Sequence, residues 1–250
     1  MLGSLSRAAT LALSLALFVL IWQVLASWLD SRALPDPTIV LQVFWQDLRS
    51  GELPYHVGVT LARVAVSFGL AMIIGSSIGL AMGRLKRIDR FFDSWLILFL
   101  NIPALVTIIL CYIWFGLTEA AAVLAVSLNK IPNVAVTMRE GARALDRQYI
   151  DLARVYRLGR WRTLRHVVLP QLAPFFAASA RSGLALVWKI VLVVELLGRS
   201  NGVGFQLHLF FQLFDVPSIL AYTVAFVAIV QLIEVALFNP WERYANRWRA

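Results

Sequence analysis

Charged and polar side chains interrupt the apolar runs of this chain, and their chemistry suits a solute path better than a reaction. Ionised groups inside apolar segments are costly, so they usually face a cavity or a partner. Arg181 and Trp188 are seven residues apart and hence about 20° apart around a helix, while Lys189 lies about 80° from Arg181. Helix pairing and subunit contact remain open alternatives. The candidate path-lining residues are Asn101, Lys130, Arg181, Trp188, Lys189 and Glu195.

The sequence contains no recognisable catalytic or metal-binding constellation. No Ser-His-Asp set, paired carboxylates or metal-ligand spacing stands out, and His56, His166 and His208 lie on separate segments as expected bystanders. The phosphate-binding pattern G-x-x-x-x-G-K-[ST] is absent, and none of the three lysines follows a glycine. We therefore expect no enzymatic activity and no cofactor or metal bound by this chain.

Composition identifies an integral membrane protein. The mean hydropathy is +0.75 and 15% of residues are charged, against about 25% in soluble domains. The single cysteine, Cys111, excludes a disulfide within the chain. Of the 23 Lys and Arg, 16 lie in Arg7, 84–90, 139–170 and the tail from Asn239. The segments that alternate with these, 30–57 and 198–217, hold only Arg32, Arg49 and Arg199. This asymmetry predicts that both termini are cytoplasmic, and it explains the net charge of +9 without nucleic acid.

Apolar runs of membrane-spanning length recur along the chain, which predicts an all-α polytopic membrane protein. About 20 residues cross the hydrocarbon core, and the first run is longer than a signal-peptide core. The amphipathic stretch 36–51 is expected to lie along the outer membrane surface. We divide the chain into an N-terminal part, 1–57, and a core, 58–250. The six predicted spans are 8–29, 58–82, 91–116, 119–138, 172–197 and 218–238.

Two of these spans contain helix-breaking sequences. Pro103 should kink or break the third span, and the polar stretch 129–133, which contains Pro132, should interrupt the fourth. Such breaks are tolerated where they face protein or a water-filled cavity, so a solute path and simple kinking both remain open. Arg63 and Asp93 lie near span ends and are expected to reach the membrane interface.

The segment 139–170 is a polar island between two apolar runs. It holds eight arginines and three acidic residues. A helix is predicted over 151–165, with Arg157 and Trp161 among residue types that anchor protein interfaces. Exposed aromatic and arginine residues suit burial in a groove of a soluble partner on the cytoplasmic side, although composition alone does not favour this interpretation over a lipid-bound one. The alternative is a basic helix lying on anionic lipid headgroups.

The spacing within this island resembles the cytoplasmic signature of ATP-binding-cassette importer permeases, E-A-A-x3-G-x9-I-x-L-P. Asp151-Leu152-Ala153 occupies the acid-small-small position, Val167 the Ile position and Leu169-Pro170 the final dipeptide. Leu152 replaces a small residue, and Arg157 replaces the glycine, with Gly159 two places later. The arginine leads us to expect a local helix that continues further than usual.

The resemblance extends from about residue 58 to the C-terminus and is closest to the nitrate/sulfonate/taurine branch of these permeases. The motifs that carry it are Trp114-Phe115-Gly116 with Glu119, Gly141-x-Arg143-x-x-Asp146, Trp188 with Glu195, Asn201-Gly202-Val203-Gly204, and Trp241-Glu242-Arg243 with Trp248. It implies the type I importer permease fold and a coupling helix near 151–165. The ATPase-coupling residues would be Asp151, Ala153, Arg157, Gly159, Trp161, Leu169 and Pro170.

The same resemblance implies the partners. A dimer of separate cytoplasmic ATPase subunits would use ATP, a second permease copy would complete the path as a homodimer, and an external binding protein would deliver the solute. The expected location is a bacterial inner membrane, and the expected solute is a small anion such as nitrate or a sulfonate such as taurine. The alternative function is an ATP-independent channel or carrier with a lipid-bound basic loop.

Overall fold

The computed structural model describes residues 7–29, 31 and 33–238. The described residues form helices and no strand, which confirms the all-α prediction. The tail motif Trp241 to Trp248 lies outside the described residues. Two π-helical turns, Leu164–Val168 and Glu234–Phe238, precede α9 and follow α11. The α-helices are α1 (Arg7–Leu29), α2 (Pro37–Ser50), α3 (Glu52–Arg84), α4 (Lys86–Asn101), α5 (Ala104–Phe115), α6 (Glu119–Arg143), α7 (Arg147–Val155), α8 (Arg160–Thr163), α9 (Leu169–Gly198), α10 (Val203–Gln212) and α11 (Val216–Ile233).

Each predicted span corresponds to a helix or, for the third, to a helix pair. Four described helical segments are long and apolar enough to cross a membrane, or five if the bent pair α4 and α5 counts as one span. The remaining predicted span is α9, whose 30 residues extend about 45 Å at the α-helical rise. It carries three charged residues within that length. The four segments are Ala12–Leu29, Glu52–Arg84, Glu119–Arg143 and Val216–Ala236.

Helices α3, α6 and α9 pack together as the centre of the bundle. The close approach of α3 to α6 depends on glycines at four-residue spacing, because a Cβ at Gly79 would lie 2.3 Å from the Ala135 carbonyl oxygen. In a membrane the hydrophobic effect does not drive helices together, so small residues stabilise the contact by allowing the two backbones to pack closely. The largest buried cluster adds α5, α10 and α11 around Val187 and Val191, both fully enclosed. We call the two ends of this bundle the Glu119 end and the Arg143 end, after the limits of α6.

One predicted helix interruption is confirmed and the other is wrong. Helices α4 and α5 meet at Asn101-Ile102-Pro103 with a bend of 97°. By contrast, α6 runs through Pro132 without a break. Pro132 is buried in α6, which packs against α3, α5 and α9. These neighbours hold the helix together although the proline lacks one backbone donor.

The N-terminal part consists of α1 and α2. The predicted amphipathic helix is α2, which packs against α3 and α11 and buries Val40. Helix α1 touches α2 and leaves most of its described side chains exposed, with Trp22 Nε1 donating to the Pro35 carbonyl at 3.1 Å. The proposed division at residue 58 falls inside α3, which begins at Glu52.

Candidate functional site

The polar island folds as a short helix, a turn and a second short helix, so the single helix predicted over 151–165 is wrong. Helix α7 begins at Arg147 and ends at Val155. Asp146 caps its N-terminus by accepting from the Gln148 amide at 2.8 Å. The Asp146 amide in turn donates to Gln171 Oε1 on α9 at 2.8 Å. The start of α7 is therefore tethered to the start of α9.

Arg157 ends α7 rather than extending it, contrary to the expectation from its side chain. Its φ is 51°, the left-handed conformation that glycine usually supplies at this position. The Arg157 amide donates to the Arg154 carbonyl at 2.9 Å, and the Leu158 amide to the Ala153 carbonyl at 2.9 Å. This is the Schellman hydrogen-bond pattern of a helix C-terminus. Arginine thus adopts the backbone conformation of the signature glycine, at a cost of about 1–2 kcal/mol.

The turn presents an uncovered aromatic and apolar surface at the Arg143 end. Ala153 is buried against the bundle, whereas Val155, Tyr156 and Trp161 are 77%, 72% and 71% exposed. Asp151 is also exposed and pairs with Arg154 at 2.9 Å. The structure thus brings five of the predicted coupling residues into one compact segment, while Leu169 and Pro170 begin α9. Those five are Asp151, Ala153, Arg157, Gly159 and Trp161.

A partly buried ion-pair cluster lies at the Glu119 end, and we call Arg63, Glu119, Glu195, Arg199 and Asn201 the Glu119 cluster. Arg63 Nε and Nη2 donate to the two Glu119 oxygens at 2.9 and 2.6 Å. Arg63 Nη1 donates to Glu195 Oε1 at 2.8 Å and to the Asn201 carbonyl at 2.8 Å. Arg199 Nη2 reaches Glu119 Oε1 at 2.5 Å. Two arginines and two glutamates balance in formal charge, and Glu195 is fully buried.

The Glu119 cluster also clamps the loop between α9 and α10. Glu195 Oε2 accepts from the Gly204 amide at 2.8 Å and lies 2.9 Å from Thr60 Oγ1, which accepts from the Val203 amide at 2.8 Å. Gly202 has φ 106°, and a Cβ there would lie 2.3 Å from Glu195 Cδ. Only glycine therefore allows the loop to approach the carboxylate this closely.

His56 also belongs to this clamp, which gives it a structural role in holding the loop. Its Nδ1 accepts from the Gly202 amide at 3.0 Å, which leaves the proton of the neutral ring on Nε2. That nitrogen lies 2.7 Å from the Gln206 amide nitrogen, while Gln206 Oε1 is buried without a hydrogen-bond partner. The ring Nε2–H can donate to the Gln206 side chain when the amide oxygen faces the ring.

A second ion-pair cluster lies at the Arg143 end, and we call Asp89, Asp93, Arg139, Glu140 and Arg143 the Arg139 cluster. Arg139 Nη1 lies 2.5 Å from Asp93 Oδ1, and Arg143 Nη2 lies 2.6 Å from Asp89 Oδ2. Glu140 pairs with Arg143 at 2.9 Å. These pairs join the first half of α4 to the last turns of α6. Asp93, expected near the interface, has a side chain that is 48% exposed.

The structure does not gather the six path-lining candidates at one place. Glu195 is in the Glu119 cluster, and Arg63, expected at the interface, is buried beside it. Lys130 is buried against Gly183 of α9, and Trp188 is buried against Phe226. The roles of these residues in transport stay predictions. The exposed candidates are Asn101, which donates to Ile97, Arg181, which pairs with Glu234 at 3.1 Å, and Lys189.

Sequence reasoning missed Thr60 and His56, and it named Arg63 only as an interface charge. The available signal was an arginine within an apolar run, which requires a partner. Its partners are distant along the chain, so the pairing could not be derived from spacing. Within the described part of the chain, no group of three or more His, Cys, Asp or Glu side chains could hold a metal ion.

Comparison with known proteins identifies the class. Residues 45–239 match the family described as "Binding-protein-dependent transport system inner membrane component", and the chain belongs to this family. It is a membrane-embedded permease subunit of an importer, in agreement with the predicted type I fold and not with an ATP-independent carrier. Family members of this kind are transport subunits rather than enzymes.

Among its relatives is the putative aliphatic sulfonates transport permease protein SsuC of Bacillus subtilis, 28% identical over 94% of this chain and 85% of that protein. The taurine transport system permease protein TauC of Escherichia coli is 26% identical over 95% and 91%. The riboflavin transport system permease protein RibX of Chloroflexus aurantiacus is 29% identical over 96% and 90%. A structure of the MetNI methionine ABC transporter in an inward-facing conformation shares the fold, with a TM-score of 0.68 at 18% identity over 80% of this chain and 99% of that one.

Proposed function

We propose that this permease works as two identical copies, with a dimer of cytoplasmic ATPase subunits and an external binding protein, and that it imports a small anion. ATP is bound and hydrolysed by the ATPase subunits, and this chain supplies the path and the docking segment. The proposed coupling residues are the predicted set from Asp151 to Pro170.

The uncovered surface of the α7–α8 turn carries this proposal. Tyr149, Val155, Tyr156 and Trp161 are more than half exposed in a segment that is otherwise rich in arginine. Aromatic residues and arginine dominate the energetics of protein interfaces. A contiguous exposed apolar patch of this kind is typical of an interaction site. The tether from Asp146 to Gln171 would pass motion of a docked ATPase directly to α9.

The distribution of basic residues supports an orientation with the Arg143 end in the cytoplasm. The eight arginines of 139–170 lie at that end, as do Arg84, Lys86, Arg87 and Arg90 around the start of α4. The Glu119 end carries Arg199 and few other basic residues. Cytoplasmic segments carry the excess of Lys and Arg, so both termini and the docking turn would face the ATPase.

The substrate class rests on the relatives and on the charge of the membrane-embedded helices. Of the relatives above, one is named for aliphatic sulfonates, one for taurine and one for riboflavin. Lys189 is an exposed cation on α9, whereas Arg181 on the same helix pairs with Glu234. Each glutamate of the Glu119 cluster pairs with an arginine. A positive lining favours anions, so we assign a small organic or inorganic anion rather than a neutral compound.

Copurification and uptake test the docking assignment. Trp161→Ala removes an exposed aromatic anchor, and Arg157→Glu reverses charge at the turn, so each should weaken ATPase association at least tenfold, the scale of an interface hot spot. ATP-dependent uptake of taurine, ethanesulfonate, nitrate, bicarbonate and riboflavin would be measured in proteoliposomes that contain the complex and its binding protein.

Trp28→Ala is the matched control, because Trp28 on α1 is 83% exposed but lies far from the docking turn in the sequence. This control should keep both ATPase association and uptake. Normal copurification and normal uptake in Trp161→Ala and Arg157→Glu together would reject α7–α8 as the docking segment. Uptake by the parent complex that does not depend on ATP would reject the importer proposal itself.

A further inference from the structure

We propose that Lys189 is the anion-selecting residue of the transport path and that it binds the acidic group of the solute between the two permease copies. This inference rests on the proposed function. Lys189 is a surface residue of α9, and the described part of the chain offers its ammonium no hydrogen bond or ion pair. The other membrane-embedded charges differ from Lys189: Arg63 and Glu195 pair with each other, and Arg181 pairs with Glu234. Lys130 is 2% exposed and so is closed to a solute at the surface.

Lys189 lies far from the nearer end of α9. It is nine residues from the end of α9 at Gly198, which places its Cα about 14 Å below that end at 1.5 Å per residue. Half of the hydrocarbon core is about 15 Å. The Cα–Cβ bonds of a helix tilt toward its N-terminus, so this side chain leans away from the nearer interface. An exposed cation at this depth requires a water-filled space or an anionic partner.

The direction of Lys189 around α9 follows from two contacts of that helix. Gly183 faces Lys130 of α6, and Glu195 faces Arg63 of α3. Lys189 is six residues from each, and at 100° per residue it points about 120° away from both. It therefore points away from α3 and α6, on the side of the α6–α9 pair opposite to α3.

Asn133 of α6 points to the same side. Lys130 marks the direction of α9 from α6, and Met138, which contacts Gly79, marks the direction of α3. Met138 is eight residues from Lys130, so the direction of α3 lies about 80° to one side of that of α9. Asn133 is three residues from Lys130, or about 60° to the other side, and it is exposed. Asn133 and Lys189 thus occupy one surface of the α6–α9 pair, which we call the α6/α9 face.

The composition of the α6/α9 face suits a solute path. Ser182 of α9 is exposed and lies about 20° from Lys189 around the helix. Leu186 and Val193 share this face, at 43% and 38% exposure, so the polar groups are few and their surroundings apolar, as in small-molecule sites. In a two-fold assembly that joins these faces, two Lys189 side chains would approach one another. An anion between them removes their repulsion, whereas a cation would increase it.

Cysteine labelling tests whether Lys189 faces water. Lys189→Cys is introduced together with Cys111→Ala, which removes the one native thiol, itself buried. The anionic, membrane-impermeant reagent 2-sulfonatoethyl methanethiosulfonate is applied to the assembled complex in membranes. Val227→Cys on α11 is the matched position, because Val227 is 57% exposed in the middle of another spanning helix. We expect labelling at 189 to be at least about tenfold faster, since only a water-accessible thiol ionises and reacts. Equal rates at the two positions would overturn the proposal.

Uptake by charge variants tests anion selection. Lys189→Met should lower ATP-dependent uptake of the transported probe by about tenfold or more, whether it is an anion (ethanesulfonate, nitrate or bicarbonate) or the zwitterion taurine, which carries a sulfonate. Lys189→Arg should keep it within about threefold. Lys86→Met removes the same charge from an exposed site at the start of α4 and should leave uptake unchanged. Both Lys189 variants should retain ATPase copurification, which separates this role from a folding defect.

Undiminished anion uptake in Lys189→Met would overturn the proposal while leaving the importer function in place. Transport of riboflavin alone, with no anion carried by the parent complex, would overturn it as well. Failure of the parent complex to import any probe would count against the proposed function, and the labelling experiment would still decide whether the α6/α9 face is lined by water.

Discussion

The Glu119 cluster and the Arg139 cluster sit at opposite ends of α6 and use the same residue types, yet they differ in burial. In the first, the Arg63 and Glu195 side chains are 5% and 0% exposed. In the second, the Arg139 and Asp93 side chains are 15% and 48% exposed. The first joins α3, α6, α9 and the following loop, whereas the second joins only α4 to α6. The Glu119 end therefore contains one enclosed pair, Arg63 and Glu195, beside a Glu119 side chain that is 53% exposed. The Arg139 cluster contains no pair that is enclosed on both sides.

This difference indicates how the two ends can behave during transport. Breaking a buried pair leaves an uncompensated charge and costs about 3–5 kcal/mol, whereas exposed pairs contribute about 0.2–1 kcal/mol each. The helices at the Glu119 end should therefore move as a unit with their loop. The ion pairs between α4 and α6 at the Arg143 end can open at smaller cost, and this is the end that carries the proposed docking turn.

Glu195→Gln should give the largest effect, because it removes one charge of the buried pair and keeps its shape. Arg63 would retain Glu119 but lose its enclosed partner, and the Gly204 amide would lose a charged acceptor. We expect the free energy of unfolding in mixed micelles to fall by about 3–5 kcal/mol. The double variant Arg63→Met with Glu195→Leu should recover part of this loss, because it removes both charges together. A loss below about 1 kcal/mol in Glu195→Gln would show that the cluster resembles a surface pair.

Thr60→Val should have an intermediate effect and isolate the loop clamp from the ion pair. The change preserves side-chain shape but removes the oxygen that accepts from the Val203 amide and contacts Glu195. A buried backbone donor left without an acceptor costs about 1–3 kcal/mol. Thermal unfolding of the purified complex would measure the loss, and hydrogen exchange at Val203 should increase. Ser77→Ala on the same helix is the control, since the Ser77 hydroxyl is exposed and bonds only its own helix. Unchanged exchange at Val203 in Thr60→Val would contradict the clamp.

The apolar pattern predicted the fold well because helix length and membrane thickness constrain each other. All six runs became helices, and Pro103 marked the one sharp bend between α4 and α5. Pro132 did not break α6, since packing on several sides of a helix overrides local preference. At Arg157 the residue type also misled, because arginine favours a longer helix. The hydrogen bonds of Arg157 and Leu158 to the preceding turn instead hold Arg157 in a left-handed conformation that ends the helix.

The Glu119 cluster was only partly accessible from sequence. Glu119, Glu195 and Asn201 were each named from motif resemblance, but nothing local indicated that one arginine joins all three. Arg63 is separated from Glu195 by 132 positions and from Asn201 by 138. The direction of Lys189 was equally hidden, because it depends on which faces of α9 meet α3 and α6. Residue spacing gives the angle between two side chains around one helix. Tertiary contacts are needed to know which neighbouring helix each direction faces.

Asp93→Asn should give the smallest effect and so sharpen the contrast between the two ends of α6. It removes the 2.5 Å pair with Arg139 while Arg139 keeps Asp89 at 3.5 Å and Glu140 at 3.3 Å. We expect a loss of about 0.2–1 kcal/mol in the free energy of unfolding. Because the pair is half-exposed, that loss should shrink further between 0.05 and about 0.5 M salt, as screening replaces the lost attraction. The loss from Glu195→Gln should change little over the same range, since its pair is enclosed. Equal salt dependence for the two variants would mean that water reaches the Arg63–Glu195 pair, and the rigid unit inferred for that end would not hold.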